Sequence, residues 1–197
     1  MNIFKTIWLK SAFLFEPVQD VFNGNFWQVF VRRFKNYTRE SVLDLGCGTG
    51  ELAKLIKPKK YLGIDINRPY VELNRKNIGR KNFIFQQGDI TKLTPKEKYE
   101  SAFLISVAHH LSDKQLGKVL ANLKRIGVKN VIVCDGYPVW PFKRILIWLD
   151  GYLGGGHYFR LEDRVEAVTG KYYKVVEKGN FKAKASLYTY PYVILKK

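Results

Sequence analysis

Val42-Leu43-Asp44-Leu45-Gly46-Cys47-Gly48-Thr49-Gly50 is a short apolar run that ends near an acid and is followed by three glycines at alternate positions. The pattern is that of a buried strand running into a turn too tight for side chains. Glycine has no Cβ, so the backbone there can take positive φ and come close to a ligand. The next residues, Glu51-Leu52-Ala53-Lys54-Leu55-Ile56, have helical character, so the turn opens a helix. Backbone N–H groups at a helix start favour a negatively charged or electron-rich ligand. Glycine-rich turns are common, and at this point an ordinary tight turn is an equal reading.

The spacing downstream separates the two readings. Tyr61-Leu62-Gly63-Ile64-Asp65 is a second apolar run ending in an acid. Asp65 falls about 20 residues past the turn, where nucleotide-binding βαβ units carry the carboxylate that accepts ribose hydroxyls. A third run, Asn82 to Ile90, contains Gly88-Asp89-Ile90 near its end, and a fourth, Tyr99 to Ser106, ends in small and polar residues. A fifth, Asn130-Val131-Ile132-Val133-Cys134-Asp135, again ends in an acid. Open α/β sheets bind ligands at the carboxyl ends of their strands, where these polar residues fall. Each acid also has a local alternative as a helix N-cap or a solvated turn residue.

Taken in order, Asp44 to Gly50, Asp65, Gly88-Asp89-Ile90 and Ser106-Val107-Ala108-His109-His110-Leu111 resemble the class I S-adenosylmethionine-dependent methyltransferases. The glycine spacing is GxGxG, not the GxGxxG of dinucleotide enzymes. The likeness is strongest over residues 40–135, and within the family it leans toward the small-molecule group that includes quinone-biosynthesis methyltransferases. The resemblance implies an α/β fold: a Rossmann-like, seven-stranded, mostly parallel sheet with an antiparallel last strand, helices on both faces and an N-terminal helical cap. It implies a single domain over 1–197, with the cap at 1–40, the cofactor-binding core at 41–135, and an acceptor-side helix and loop plus C-terminal strands at 136–197. The implied cofactor is S-adenosylmethionine, leaving as S-adenosylhomocysteine, with no metal. Gly46 and Gly48, with Cys47 between them, would meet its methionine part. Asp44 would hold the turn and approach the amino group. Asp65 would bind both ribose hydroxyls, and Ile66 would pack on the adenine. Asp89 would accept from the adenine amino group, with Ile90 beside the ring, and the Ser106 carbonyl would face the methionine amino group.

Composition bounds this reading without choosing an acceptor. The chain has 197 residues and 46% hydrophobic residues, enough for a packed core, which excludes wholesale disorder. Its two cysteines, Cys47 and Cys134, give neither a disulfide framework nor metal-ligand spacing, which suits a reducing, cytoplasmic compartment. Cys134 reads as a core thiol. The sequence around it differs from that of RNA cytosine-5 methyltransferases, which use a cysteine after a strand as nucleophile. No apolar run is long enough to span a bilayer, and no signal peptide with a convincing cleavage site is evident. The 34 Lys and Arg against 17 Asp and Glu leave a net charge of +17, distributed along the chain. Such a charge fits a soluble basic surface, and it equally fits attraction to RNA, to an anionic membrane surface or to an acidic substrate. The expected location is cytoplasmic or peripheral to a membrane.

The two ends of the chain are expected to build the acceptor site. Phe4, Ile7, Trp8, Ser11, Leu14 and Phe15 share a helical stripe, and a second helix is expected over Phe26 to Phe34. These helices either cap the sheet or form a lid over a hydrophobic acceptor; the first could also lie on a membrane surface. Trp8, Tyr137 and Arg160 are the candidate acceptor contacts. Arg160 either holds an anionic group or pairs with Glu162 or Asp163. Leu161 to Thr169 reads as a helix closed by Gly170. Tyr172 to Glu177 and Ser186 to Leu195 read as strands, and Pro191 suggests an edge or a bulge in the second.

Methyl transfer from a sulfonium mainly requires in-line alignment of donor and acceptor. A base is needed only where the acceptor must lose a proton, and His109, His110, His157 and Asp135 are candidates. The metal-dependent catechol type needs an acid where Ser106 and Val107 stand, and the Asn/Asp-Pro-Pro-Tyr/Phe signature of amino-methylating DNA enzymes is missing there. The expected activity is therefore methyl transfer to a small, hydrophobic or anionic acceptor. RNA methylation, or a basic module on this fold that binds anionic membrane or nucleic acid, is the alternative.

Overall fold

The computed structural model describes residues 24–93, 97–139, 141, 143–153 and 156–197. The proposed first helix and Trp8 lie outside the described residues. Helix α1 (Phe26–Phe34) leads into strand β1 (Ser41–Leu45), helix α2 (Glu51–Leu55), strand β2 (Lys60–Asp65), helix α3 (Arg68–Asn77) and strand β3 (Phe83–Gln87). Strand β4 (Ser101–Ile105), helix α4 (Asp113–Arg125), strand β5 (Asn130–Cys134), a short strand β6 (Tyr137–Pro138) and helix α5 (Lys143–Leu153) follow. Helix α6 (Glu162–Thr169) and strands β7 (Lys174–Lys182) and β8 (Tyr188–Lys196) complete the described chain.

All eight strands join one sheet in the order β3-β2-β1-β4-β5-β8-β6, with β7 paired to β8. The first five strands are parallel, and β8 runs antiparallel to β5. The seven expected strands are present in the expected sense; the addition is the two-residue β6, which pairs with the start of β8. The order reverses between β1 and β4, and open α/β sheets bind their ligands above such a switch point, at the carboxyl ends of the strands.

The inner strands read as near-continuous apolar runs because both faces of the sheet are covered. Alternation along β1 sends Leu43 and Leu45 into a cluster with Leu116, Leu120 and Leu123 of α4 and Val165 of α6. It sends Val42 to the other face, with Phe26, Phe30 and Phe34 of α1, Leu52 of α2 and Val71 of α3. Those three phenylalanines stand at i, i+4 and i+8, and all are buried. α1 therefore caps the sheet instead of closing a lid: Phe26 packs on Tyr190 and Phe181, and Phe34 on Tyr192. Helix α4 starts on a capping box, with Ser112 accepting from the Gln115 N–H and Gln115 accepting from the Ser112 N–H.

Pro191 departs from the sequence expectation. It lies in an interior strand, and the only irregularity in the β7–β8 register falls at Val175/Glu177. Its carbonyl accepts from the Asp135 N–H, so its backbone polar atoms face β5 and no bond to β7 is lost. With no N–H to return, Pro191 ends the β5–β8 ladder where β5 stops.

Candidate active site

The glycine turn is built by its backbone. The N–H groups of Gly46 and Cys47 both donate to the Ile64 carbonyl, and that of Gly50 returns to Cys47. Gly46, Gly48 and Gly50 have φ of 76°, 49° and 81°, the left-handed region. Their surroundings differ. A Cβ at Gly46 would meet Val107 Cγ2 at 2.6 Å, and one at Gly50 would meet Asn74 Oδ1 at the same distance, whereas a Cβ at Gly48 would meet nothing within 4 Å. The outer two glycines permit packing, and the middle one faces open space.

Asp65, at the end of β2, holds this turn. Its Oδ2 accepts the Gly48 N–H at 2.8 Å and its Oδ1 accepts the Asn67 N–H at 2.7 Å. A carboxylate has about four acceptor sites, so these bonds leave acceptor capacity for a ligand hydroxyl. Burial raises the Asp65 pKa, and the N–H groups of Asn67, Gly48 and Ile66 oppose that rise. Beside it Ile66 is 72% exposed, a large apolar side chain just past the carboxyl end of β2. Asp89 caps the short turn that follows β3: its Oδ1 accepts from the Thr91 N–H and hydroxyl, with Lys92 Nζ 3.6 Å from Oδ2. Thr91's two bonds lead in lowering its pKa. At the end of β4, Ser106 takes φ of 51°, an uncommon strained conformation for a residue with a Cβ, and donates its N–H to the Cys134 carbonyl. Val107 then packs over Gly46.

Three expected contacts turn inward instead. Asp44 lies beneath the turn, where the Tyr61 hydroxyl donates to it at 2.5 Å, so Asp65 and not Asp44 holds the glycine loop. Burial pushes the Asp44 pKa up to about 7; the Tyr61 bond opposes the rise and the Asp65 charge adds to it. The Cys47 thiol packs 3.0 Å from where a Cβ on Gly63 would stand, and Ile90 belongs to the core under α4. Asn74, buried on α3, was not singled out in the sequence. Its side chain donates to the Gly48 carbonyl at 2.8 Å and steadies the loop from behind. A buried amide within an amphipathic helix was the available signal.

On the acceptor side, the His109 Nδ1 lies 2.6 Å from Asp135 Oδ1, with both groups buried. The carboxylate can only accept, which places the proton on Nδ1 and leaves Nε2 as the basic nitrogen. The sequence offered these two residues as separate candidates, and the fold joins them across the ends of β4 and β5. The His109 ring stacks on Phe159 at 5.0 Å and lies 4.0 Å from His110, since both sit on one tight turn. His157 is exposed, and its backbone N–H donates to the His109 carbonyl. Tyr137 accepts from Lys143 Nζ at 2.8 Å.

Arg160 corrects the sequence expectation on both counts. It is buried, and it pairs with neither Glu162 nor Asp163. Its Nε and one terminal nitrogen donate to Asp113, and the two terminal nitrogens also donate to the carbonyls of Ala108, Tyr158 and Leu111. These bonds engage all five guanidinium N–H donors, so none is left for an acceptor anion. Arg160 is a staple that fixes the 156–161 segment onto the turn carrying His109. Among the described residues no three His, Cys, Asp or Glu side chains gather as metal ligands. A depression of about 650 Å³ lies at the amino ends of the central strands, lined by residues such as Arg39, Glu100 and Lys129, away from every motif.

Residues 42–129 match the family model described as a methyltransferase domain. The fold is similar to a SAM-dependent methyltransferase from Archaeoglobus fulgidus at 18% identity and a TM-score of 0.70, covering 95% of this chain and 100% of that one. It is similar to magnesium protoporphyrin IX methyltransferase from Synechocystis with bound SAH, at 17% identity and 0.66, covering 91% and 87%. It is also similar to the N-methyltransferase NodS from Bradyrhizobium japonicum in complex with S-adenosylhomocysteine, at 13% and 0.63, covering 86% and 84%. No curated protein sequence matches the chain. Residues 42–129 are thus similar to the methyltransferase domain family, and the fold is shared with S-adenosylmethionine-dependent methyltransferases.

Proposed function

We propose that this protein methylates a small, hydrophobic or anionic acceptor. One arrangement carries the donor half: the open face of Gly48, clamped by Asp65 and flanked by exposed Ile66, at the switch point of the sheet. Those residues fit a nucleoside with a charged tail. The remaining acceptor capacity of Asp65 suits the ribose diol, Ile66 suits one face of the adenine, and Asp89 suits its amino group. The backbone at Gly46 and Gly48 and the Ser106 carbonyl suit the methionine part. Asp44, Cys47 and Ile90 pack beneath the turn and in the core, and their side chains are not assigned a contact with the donor.

When bound, S-adenosylmethionine supplies an already activated sulfonium methyl group. The chain's own task is to align the acceptor and to exclude water. Where the acceptor must lose a proton, His109 is the base the geometry favours, because Asp135 fixes its ring and leaves Nε2 basic. Exposed His157 has no comparable support. Two free, buried cysteines favour a cytoplasmic setting. The neighbours named for magnesium protoporphyrin and NodS N-methylation support a small-molecule acceptor, and the quinone-biosynthesis-like grouping belongs to the same proposal.

The test incubates the protein with labelled S-adenosylmethionine and, separately, an organic-solvent extract and total RNA. Label entering the extract is the expected result. Label entering RNA alone would replace this reading with RNA methylation.

A further inference from the structure

Helix α5 turns three of its described apolar side chains outward. Leu146 is 4% exposed and points into the protein, whereas Ile145, Trp148 and Tyr152 are 59%, 63% and 45% exposed. At about 100° per residue these three fall within a sector of about 60°, centred about 130° from Leu146. Trp148 and Tyr152 stack in parallel, ring centroids 5.5 Å apart, and so present one broad aromatic surface. Exposed Arg144 borders that surface, and Lys143 starts the helix.

We propose that this face of α5 seats the protein on an anionic lipid bilayer. The face commits to lipid on two observations. Trp and Tyr side by side with an aliphatic neighbour and a basic border are the side chains that partition into the headgroup–acyl boundary. The net charge of +17 then supplies long-range attraction to an anionic surface. A second copy of the chain fits less well: among the described residues three apolar side chains are far fewer than a stable dimer interface uses, and two such copies would bring like charges together. A nucleic acid would use the cations and an aromatic face but gives Ile145 no apolar partner. No helix among the described residues is long and apolar enough to cross a membrane, so the contact is peripheral. β6 and the Tyr137–Lys143 bond tie α5 to the acceptor side of the fold, so the surface would meet acceptors dissolved in the bilayer.

The experiment is co-sedimentation of the full chain with vesicles of phosphatidylcholine alone and of phosphatidylcholine mixed with phosphatidylglycerol. Binding is expected only to the mixed vesicles and to weaken with salt. The double variant Trp148→Ala, Tyr152→Ala and the single variant Arg144→Glu should each lower the bound fraction about ten-fold or more at limiting lipid. Trp148→Phe should keep sedimentation and lose most of the vesicle-induced blue shift of tryptophan fluorescence. Calorimetry with S-adenosylhomocysteine should be unchanged in all of them, which separates loss of this surface from loss of the donor site. Equal sedimentation of wild type and double variant overturns the proposal. So does a loss confined to RNA binding, or light scattering that shows a dimer dissolved by the same substitutions.

Discussion

The donor and acceptor halves of this sheet were built by different means. Around β1, β2 and β4 the proposed donor site is shaped largely by backbone: the turn at Gly46 to Gly50 and the residue Ser106, held by left-handed φ. Beyond β5 the proposed acceptor side is shaped by side chains on helices and loops, each drawn into a local network. Asp135 binds His109, Arg160 binds Asp113 and three carbonyls, and Lys143 binds Tyr137. A backbone site needs particular residue types at particular spacings and so leaves a motif. A side-chain site depends on which distant segments meet and leaves almost none.

The sharpest way to break this contrast is at Arg160. If it is a staple, Arg160→Ala leaves buried carbonyls unpaired and destabilises the fold by about 3–5 kcal/mol. Arg160→Lys recovers little, because one ammonium cannot span those acceptors. Urea unfolding measures both variants. Stability equal to wild type would return Arg160 to the acceptor pocket.

Asp44 tests the donor half from beneath. Its folded pKa of about 7 lies above the ordinary 3.8, so the folded state holds the proton more tightly. Its contribution to stability is full below about pH 4 and is lost as pH rises through about 7. Three units correspond to a ceiling of about 4 kcal/mol. Asp44→Asn keeps an acceptor for Tyr61 and should gain stability over wild type between about pH 5 and pH 8. A wild-type-to-variant difference that stays flat with pH would show that the buried carboxyl keeps its ordinary pKa.

Asp65→Ala should weaken S-adenosylhomocysteine binding about 100-fold, near 3 kcal/mol, through lost charge-assisted bonds to the ligand and to Gly48. Calorimetry reads the affinity. Unchanged affinity would remove the central residue of the donor site. The smallest effect expected is at Gly48. Gly48→Ala adds a methyl into open space, so it should cost only about 1 kcal/mol of stability while weakening the ligand severalfold. Gly46→Ala, against Val107, should be the more destabilising of the two. The reverse order would show that the open face of the turn points elsewhere.

Sequence legibility follows the same divide. β1 to β5, α2 and α6 were readable, because a buried parallel sheet demands apolar runs and the turns between demand glycine or a cap. Asp89 was read as both ligand and possible cap, and the cap is made, since a side chain two residues from an N–H finds it whatever the distant fold does. Arg160 was misread because its nearest acids in sequence, Glu162 and Asp163, point away along α6, while Asp113 arrives from α4. Pro191 was misread because sequence cannot say which neighbour a strand's missing N–H would have faced.

By itself the sequence determined the glycine turn and the acid that follows it, because the GxGxG turn and Asp65 are local in chain and short in reach; the donor it names comes through the family those motifs resemble. Tertiary structure decided the rest. It joined His109 to Asp135, took Arg160 out of the acceptor side and turned Ile145, Trp148 and Tyr152 outward. These outcomes depend on contacts between residues tens of positions apart, and on which face of a helix the sheet claims. Burial chooses those contacts, and residue order does not record it.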